Sequence, residues 1–142
     1  MIQYTITDSP IGKLLISKSN KGITHILFEY QISQFESIIK KKFPDEIIVR
    51  NDTSLSKTVK QLNEYFSGER QVFNIELDLV MPPFHQKALN VVEMIPYGKT
   101  ISYKDVAAHA GNIKAVRAAG SANANNPIPI VIPCHRVLAT SG

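Results

Sequence analysis

Residues 102–124 read SYKDVAAHAGNIKAVRAAGSANA. Ser102 followed by Asp105 has the form of a capping box, in which a hydroxyl and a carboxylate satisfy free N–H groups at a helix start. A short helix is predicted over 103–110, stopped by Gly111-Asn112, where glycine can take the positive φ of a helix end. A second helix is predicted over about 113–123. Two short helices joined by a tight glycine-containing turn make a helix-turn-helix-like unit. The second helix carries Ala115, Ala118, Ala119, Gly120, Ser121, Ala122 and Ala124. Such small side chains let a backbone approach another surface closely, whether a nucleic-acid groove or a neighbouring helix. Lys114 and Arg117, three residues apart, would share one face of this helix and suit a groove or a phosphate.

Upstream, Met81-Pro82-Pro83 punctuates the chain, because two prolines disfavour both helix and central strand. The domain boundary is placed there, giving domains 1–80 and 81–142. Residues 84–94 are predicted helical, with Phe84, Ala88, Val91, Val92 and Ile95 on one stripe, ended by Pro96-Tyr97-Gly98. The first domain reads as strands at 2–7, 13–17 and 23–29, a helix over 33–42 with Ser33 as N-cap, a helix over 54–66 and a strand over 72–79. The class is α+β: an α/β first domain followed by a mostly helical one.

The chain of 142 residues is 44% hydrophobic and 20% charged, enough to bury a core. It contains no apolar run of about eighteen residues and no basic-then-apolar leader, so neither a membrane span nor a secretory signal is expected. One cysteine excludes an internal disulfide and points to a reducing cytoplasm. Residues 1–83 hold ten Lys/Arg and ten Asp/Glu, whereas residues 84–142 hold six against two. The whole net charge of +4 therefore belongs to the second half. A polyanion fits such a half, as does a mildly basic surface with no ligand.

After the helix pair comes Asn126-Pro127-Ile128-Pro129-Ile130-Val131-Ile132-Pro133-Cys134-His135-Arg136-Val137. Three prolines stiffen the loop and the apolar residues between them bury it. A lone cysteine is most often a small inert hydrophobe. Here His135 and Arg136 follow it, and both favour a thiolate, the soft nucleophile that attacks saturated carbon. A Cys-His hydrolase is the competing chemistry. Adjacent residues usually point apart, so a Cys134–His135 relay would need a bridging water.

The run Ile132-Pro133-Cys134-His135-Arg136-Val137 resembles the active-site signature of the O6-alkylguanine-DNA alkyltransferases. Pro96-Tyr97-Gly98-Lys99-Thr100-Ile101-Ser102-Tyr103, Ala110-Gly111-Asn112, Lys114 to Gly120 and Asn126-Pro127-Ile128-Pro129 match in the same order and spacing across residues 84–142. The resemblance implies a ribonuclease-H-like first domain and a suicide enzyme of DNA repair. A methyl or small alkyl group on O6 of guanine, or O4 of thymine, would pass once and irreversibly to Cys134. It implies His135 as the base acting through a water and Asn126 as the tie between the active-site loop and the helix pair. Tyr103 is similar to the tyrosine that crowds a DNA phosphate. Arg117 resembles the arginine that fills the space of the flipped nucleotide. The second helix would enter the minor groove of double-stranded DNA with Ala118, Gly120, Ser121 and Ala122 against it, and Lys114 and Arg136 are counted among the DNA contacts. A lesion is extruded because its alkyl carbon is unreachable within the stack.

The partner implied is DNA carrying O6-alkylguanine, bound by a monomer without a cofactor. No metal site is expected, since His25, His85 and His109 read as structural or surface residues. A relative that binds lesions without transferring the alkyl group is the alternative, and Cys134 argues against it. The family continues with a glycine-rich loop closing the pocket and a helix whose glutamate orients the histidine. The chain stops at Ser141-Gly142, so a truncated or partly ordered chain is the expectation.

Overall fold

The computed structural model describes residues 1–139, which fall into two units, Met1–Leu79 and a second beginning at Val80. The expectation for the chain end at Ser141-Gly142 lies outside the described residues.

In the first unit, strands β1 (Ile2–Thr7), β2 (Leu14–Lys18) and β3 (Ile23–Phe28) form an antiparallel meander, and β4 (Ile48–Arg50) adds in parallel to β1, giving the order β3-β2-β1-β4. Leu14, Leu15 and Ile16 of the inner strand β2 are all fully buried, so the sheet is covered on both faces. Leu15 joins Ile2, Leu27 and Ile39 in one cluster, against which Tyr4, Phe35 and Ile38 pack. Ile39 belongs to helix α1 (Phe35–Lys40), which is shorter than predicted. A 3-10 segment, Glu29–Gln34, precedes it and absorbs Ser33, so Ser33 is not its N-cap. Helix α2 (Ser56–Phe66) buries Leu62 and follows a 3-10 turn that buries Leu55.

The strand expected over 72–79 does not form a ladder; only an isolated bridge joins Ile23 to Leu77. Its backbone groups find other partners. Asn74 N donates to Gln61 Oε1 at 2.9 Å and Gln61 Nε2 donates to Asn74 O at 3.1 Å, while the Phe73 ring packs on Tyr65. The segment nevertheless presses on the turn before β3. A Cβ on Gly22 would lie 2.6 Å from the Glu76 carbonyl, so only glycine fits there.

The second unit packs α3 (Pro83–Glu93), α4 (Tyr103–His109) and α5 (Val116–Ala124) against one another. Pro83 occupies the first turn of α3, where its missing N–H costs nothing. The predicted capping box opens α4: Asp105 N donates to Ser102 Oγ at 3.0 Å and Ser102 N to Asp105 Oδ2 at 3.3 Å. Gly111 takes φ +103° after it. Helix α5 starts at Val116, three residues later than predicted, because the Asn112 side chain accepts from Lys114 N at 3.1 Å and its carbonyl from Ala115 N at 3.0 Å, holding a turn. Lys114 thus lies in the turn and not on the helical face. Ala119 and Ala122 are buried in the three-helix core with Ala88 and Ala107, so these small residues serve helix packing, and Ala122 faces the core and not a groove as expected. No helix among the described residues is long and apolar enough to cross a membrane.

His25 is 2% exposed, with Nδ1 3.1 Å from Thr24 Oγ1, and burial, then the charge of Lys42, lowers its pKa to about 4. The unfolded chain takes up this proton below about 6.5, the folded chain only below about 4, so stability present above the higher value is lost on acidification between the two. The loss from this one group should reach about 3 kcal/mol by pH 4. Denaturant titrations at several pH values should show that slope in the wild type and a flatter one in His25→Gln; parallel curves would count against it.

Candidate active site

The second unit leads from α5 into a loop whose conformation is set residue by residue. Asn126, just past the helix, donates from Nδ2 to Ile132 O at 2.8 Å and accepts from Ile128 N at 2.9 Å, closing the loop on itself. Within that closure Val131 N donates to Pro129 O at 2.9 Å across Ile130, whose φ is +75°. This is a γ-turn with a β-branched residue in the left-handed region, a conformation costing roughly 1–3 kcal/mol. Ile128 and Ile132 are fully buried on either side and hold it in place. Cys134 N then donates to Ile132 O at 2.8 Å around Pro133 (φ −80°, ψ 70°), an inverse γ-turn that proline's fixed φ favours. A single 3-10 turn, Cys134–Arg136, follows, and β6 (Val137–Leu138) pairs in parallel with β5 (Ile101–Ser102).

The cysteine-bearing turn is tied to all three helices. Through β6 it joins β5, whose Ser102 caps α4. Asn123 on α5 donates from Nδ2 to Cys134 O at 3.1 Å, an oxygen that also accepts from Val137 N. Arg136 donates from its guanidinium to Ile95 O at 2.7 Å, just beyond the end of α3, and lies over the Tyr97 ring with its central carbon 5.5 Å from the centroid.

Cys134 is half-buried and a free thiol. His135 is exposed beside it, and partial desolvation, followed by the positive charge of Arg136, lowers its pKa. Its imidazole is therefore neutral at pH 7 and keeps a lone pair to accept a proton. Tyr103, the first residue of α4, is half-buried, and its ring lies 4.0 Å from where a Cβ on Gly120 would sit, so α4 and α5 meet at these two predicted residues. Arg117 and Ser121 are exposed on α5, Ala118 is half-buried, and Lys114 is exposed in the preceding turn. Arg136 differs from its expected DNA contact: it is 8% exposed and its guanidinium is engaged inside the unit. Asn123 was not foreseen; three asparagines fall within four residues, and only the fold shows which one meets the Cys134 carbonyl. Among the described residues no group of three or more His, Cys, Asp or Glu side chains could hold a metal.

Residues 2–79 match the ribonuclease-like domain of 6-O-methylguanine DNA methyltransferase, and residues 83–142 match its DNA binding domain. The chain belongs to the 6-O-methylguanine DNA methyltransferase family. It is 39% identical to the constitutive methylated-DNA–protein-cysteine methyltransferase of Bacillus subtilis over 97% of this chain and 81% of that protein. The O6-methylguanine methyltransferase of Mycobacterium tuberculosis superposes with a TM-score of 0.85 at 36% identity, over 100% of this chain and 81% of that one. A second structure of the mycobacterial protein, in complex with DNA, gives 0.84 at 37% identity over 99% and 80%. The α+β architecture is thus the family's: a mixed-sheet ribonuclease-like domain and a helical DNA-binding domain.

Asn123 is 8% exposed, and its Oδ1 has no partner among the described residues, so the hydrogen bond to Cys134 O comes with a buried acceptor left unsatisfied. The two effects are of opposite sign and similar size, about 1 kcal/mol for the bond and about 1–3 kcal/mol for the unsatisfied acceptor. Asn123→Ala should therefore shift unfolding free energy by only about 1 kcal/mol while slowing alkylation of Cys134 on the order of tenfold through a displaced nucleophile. Thermal melts and single-turnover kinetics check the two halves; a large stability loss at wild-type rate would reverse the assignment.

Proposed function

We propose that this methyltransferase repairs O6-methylguanine in duplex DNA by moving the methyl group to Cys134 Sγ, once per protein molecule. The observation that carries this reading is the free, half-buried thiol fixed on a turn between a neutral histidine and the loop bonds of Asn126. The thiolate attacks the methyl carbon, the carbon–O6 bond breaks, and its electron pair stays on the base. His135 takes the thiol proton through a water, and a proton returns to the departing guanine, leaving unmodified guanine and S-methylcysteine. A thioether is a poor leaving group, so nothing in the chain restores the thiol. No cofactor takes part.

DNA would lie along α5. The half-buried Ala118 and Gly120 and exposed Ser121 let its backbone come close to the minor groove, where readout is largely independent of sequence. Arg117 projects from the same helix and would occupy the space of the everted nucleotide; Tyr103, packed beside Gly120, would press on the phosphate next to it. Lys114, in the turn, would contribute phosphate attraction. One protein molecule per lesion suffices, and a reducing cytoplasm keeps the thiol available. O4-methylthymine presents the same alkyl-oxygen chemistry and is a second substrate on this reading.

Incubation with duplex carrying O6-methylguanine should give a protein heavier by one methyl on Cys134, at one equivalent. Repeated turnover would refute the reading, as would a mass change elsewhere. Cys134→Ala should retain duplex binding and lose transfer entirely. Arg117→Ala should slow repair of duplex on the order of 100-fold, the scale of a misplaced substrate, with little effect on reaction with the free base O6-benzylguanine, because only the duplex requires flipping.

The lowered His135 pKa sets the acid side of the rate profile. A base must be unprotonated, so transfer should persist through pH 6.5, the ordinary imidazole value, and fall only at lower pH. Single-turnover rates from pH 8 to 5, with His135→Gln as the comparison, would expose a contrary midpoint above 6.5.

A further inference from the structure

We infer that Arg136 is a positioning residue for the transfer reaction, a clamp that fastens the cysteine-bearing turn to the end of α3, and not a contact to DNA. The inference rests on the reading of Cys134 as acceptor and adds to it a residue outside the nucleophile–base pair. Arg136 closes the 3-10 turn of which Cys134 is the first residue, its own N–H donating to Pro133 O at 2.9 Å. Its side chain reaches back 41 residues to the Ile95 carbonyl at 2.7 Å, the short length of a charge-assisted bond. Ile95 is itself buried and held by its N–H on Val92 O at 3.1 Å, so the anchor is rigid. That carbonyl lies two residues past Glu93, the last residue of α3, close to a helix C-terminus where unpaired carbonyls and the helix dipole favour a cation.

A guanidinium at 8% exposure is expensive to desolvate, and an arginine meant for phosphates would keep its head in water. Here the planar group does two things at once: an edge N–H meets the carbonyl while its face covers the Tyr97 ring. A lysine can do either but not both. Fixing the third residue of a three-residue turn fixes the direction in which the first two, Cys134 and His135, present their side chains. The buried charge next to His135 also favours the neutral imidazole.

The test compares wild type, Arg136→Met and Arg136→Lys with two readouts: affinity for unmodified duplex, and the maximal single-turnover rate at saturating O6-methylguanine duplex. The rate is normalised to the protein that is finally methylated, so a loss of folded molecules alone does not move it. For Arg136→Met the expected result is duplex affinity within about twofold of wild type and a maximal rate lower on the order of 100-fold, the scale of a misplacement near 1 Å. Arg136→Lys should recover part of the rate. Weakened duplex binding at an unchanged maximal rate would make Arg136 a DNA contact and overturn the inference, as would a normalised rate equal to wild type. If Arg136→Met does not fold, Arg136→Lys and Tyr97→Leu carry the test, each expected to slow the maximal rate about tenfold at unchanged affinity; wild-type rates in both would overturn it. Failure of the wild type to become methylated on Cys134 would instead sink the functional reading itself, a distinct result.

Discussion

The carbonyl oxygen of Cys134 is the point on which the second unit turns. It accepts from the side chain of Asn123 on α5 and from the backbone of Val137 at the start of β6. A nucleophile in a loop has no ladder to fix it, and a rate that depends on attack along one line at a saturated carbon punishes small displacements. Here the fixing comes from tertiary bonds. The start of α4, the body of α5 and the end of α3 each hold one piece of the same short turn. The three helices are in turn held by small buried residues, Ala88, Ala107, Ala119 and Ala122, which bring their axes close.

This arrangement concentrates unfavourable terms near the thiol. Ile130 sits at positive φ, Asn123 Oδ1 is buried without a partner among the described residues, and a guanidinium is desolvated two residues from the cysteine. Each costs on the order of 1–3 kcal/mol if judged alone. Stability alone would favour glycine at 130. A site made of several locally poor choices, each overdetermined by its surroundings, is what a geometric demand produces in a fold that is otherwise locally consistent.

Much of this was legible in the sequence where the determinants are local. Ser102 and Asp105 define the start of α4 because a capping box closes within four residues, and Gly111 defines its stop. The motif around Cys134 carries the resemblance to the family whose DNA binding domain residues 83–142 match. Errors arose where a side chain competes with the backbone for its hydrogen bonds. Gln61 takes the polar groups of Asn74 that a ladder would have used, so alternation over 72–79 did not become a strand. Asn112 likewise delays α5 to Val116 and takes Lys114 off the helix. The contacts of Asn123 and Arg136 were illegible for another reason: their partners lie 11 and 41 residues away, and the burial of an arginine in a basic half cannot be read from its neighbours in sequence.

A single-use reaction also changes what a good site is. An enzyme that must release product and reset needs a pocket that opens, and its loops come from the less stable parts of the fold. Transfer to Cys134 ends in a covalent thioether, so the site gains nothing from releasing what it has taken. Selection then acts on presentation of the thiol at the moment of encounter, and a turn locked at its carbonyl, its apolar flanks and its terminal arginine meets that demand better than an adaptable one. On the reading proposed above, the surface that meets DNA faces the opposite requirement, since it must accept any sequence around the lesion. Its residues fit that division: Ser121, Arg117 and Lys114 are exposed, while the bonds that fix the cysteine run inward to buried partners. Rigidity and tolerance are assigned to two sides of the same helix, and α5 carries both because Asn123 points one way and Arg117 the other.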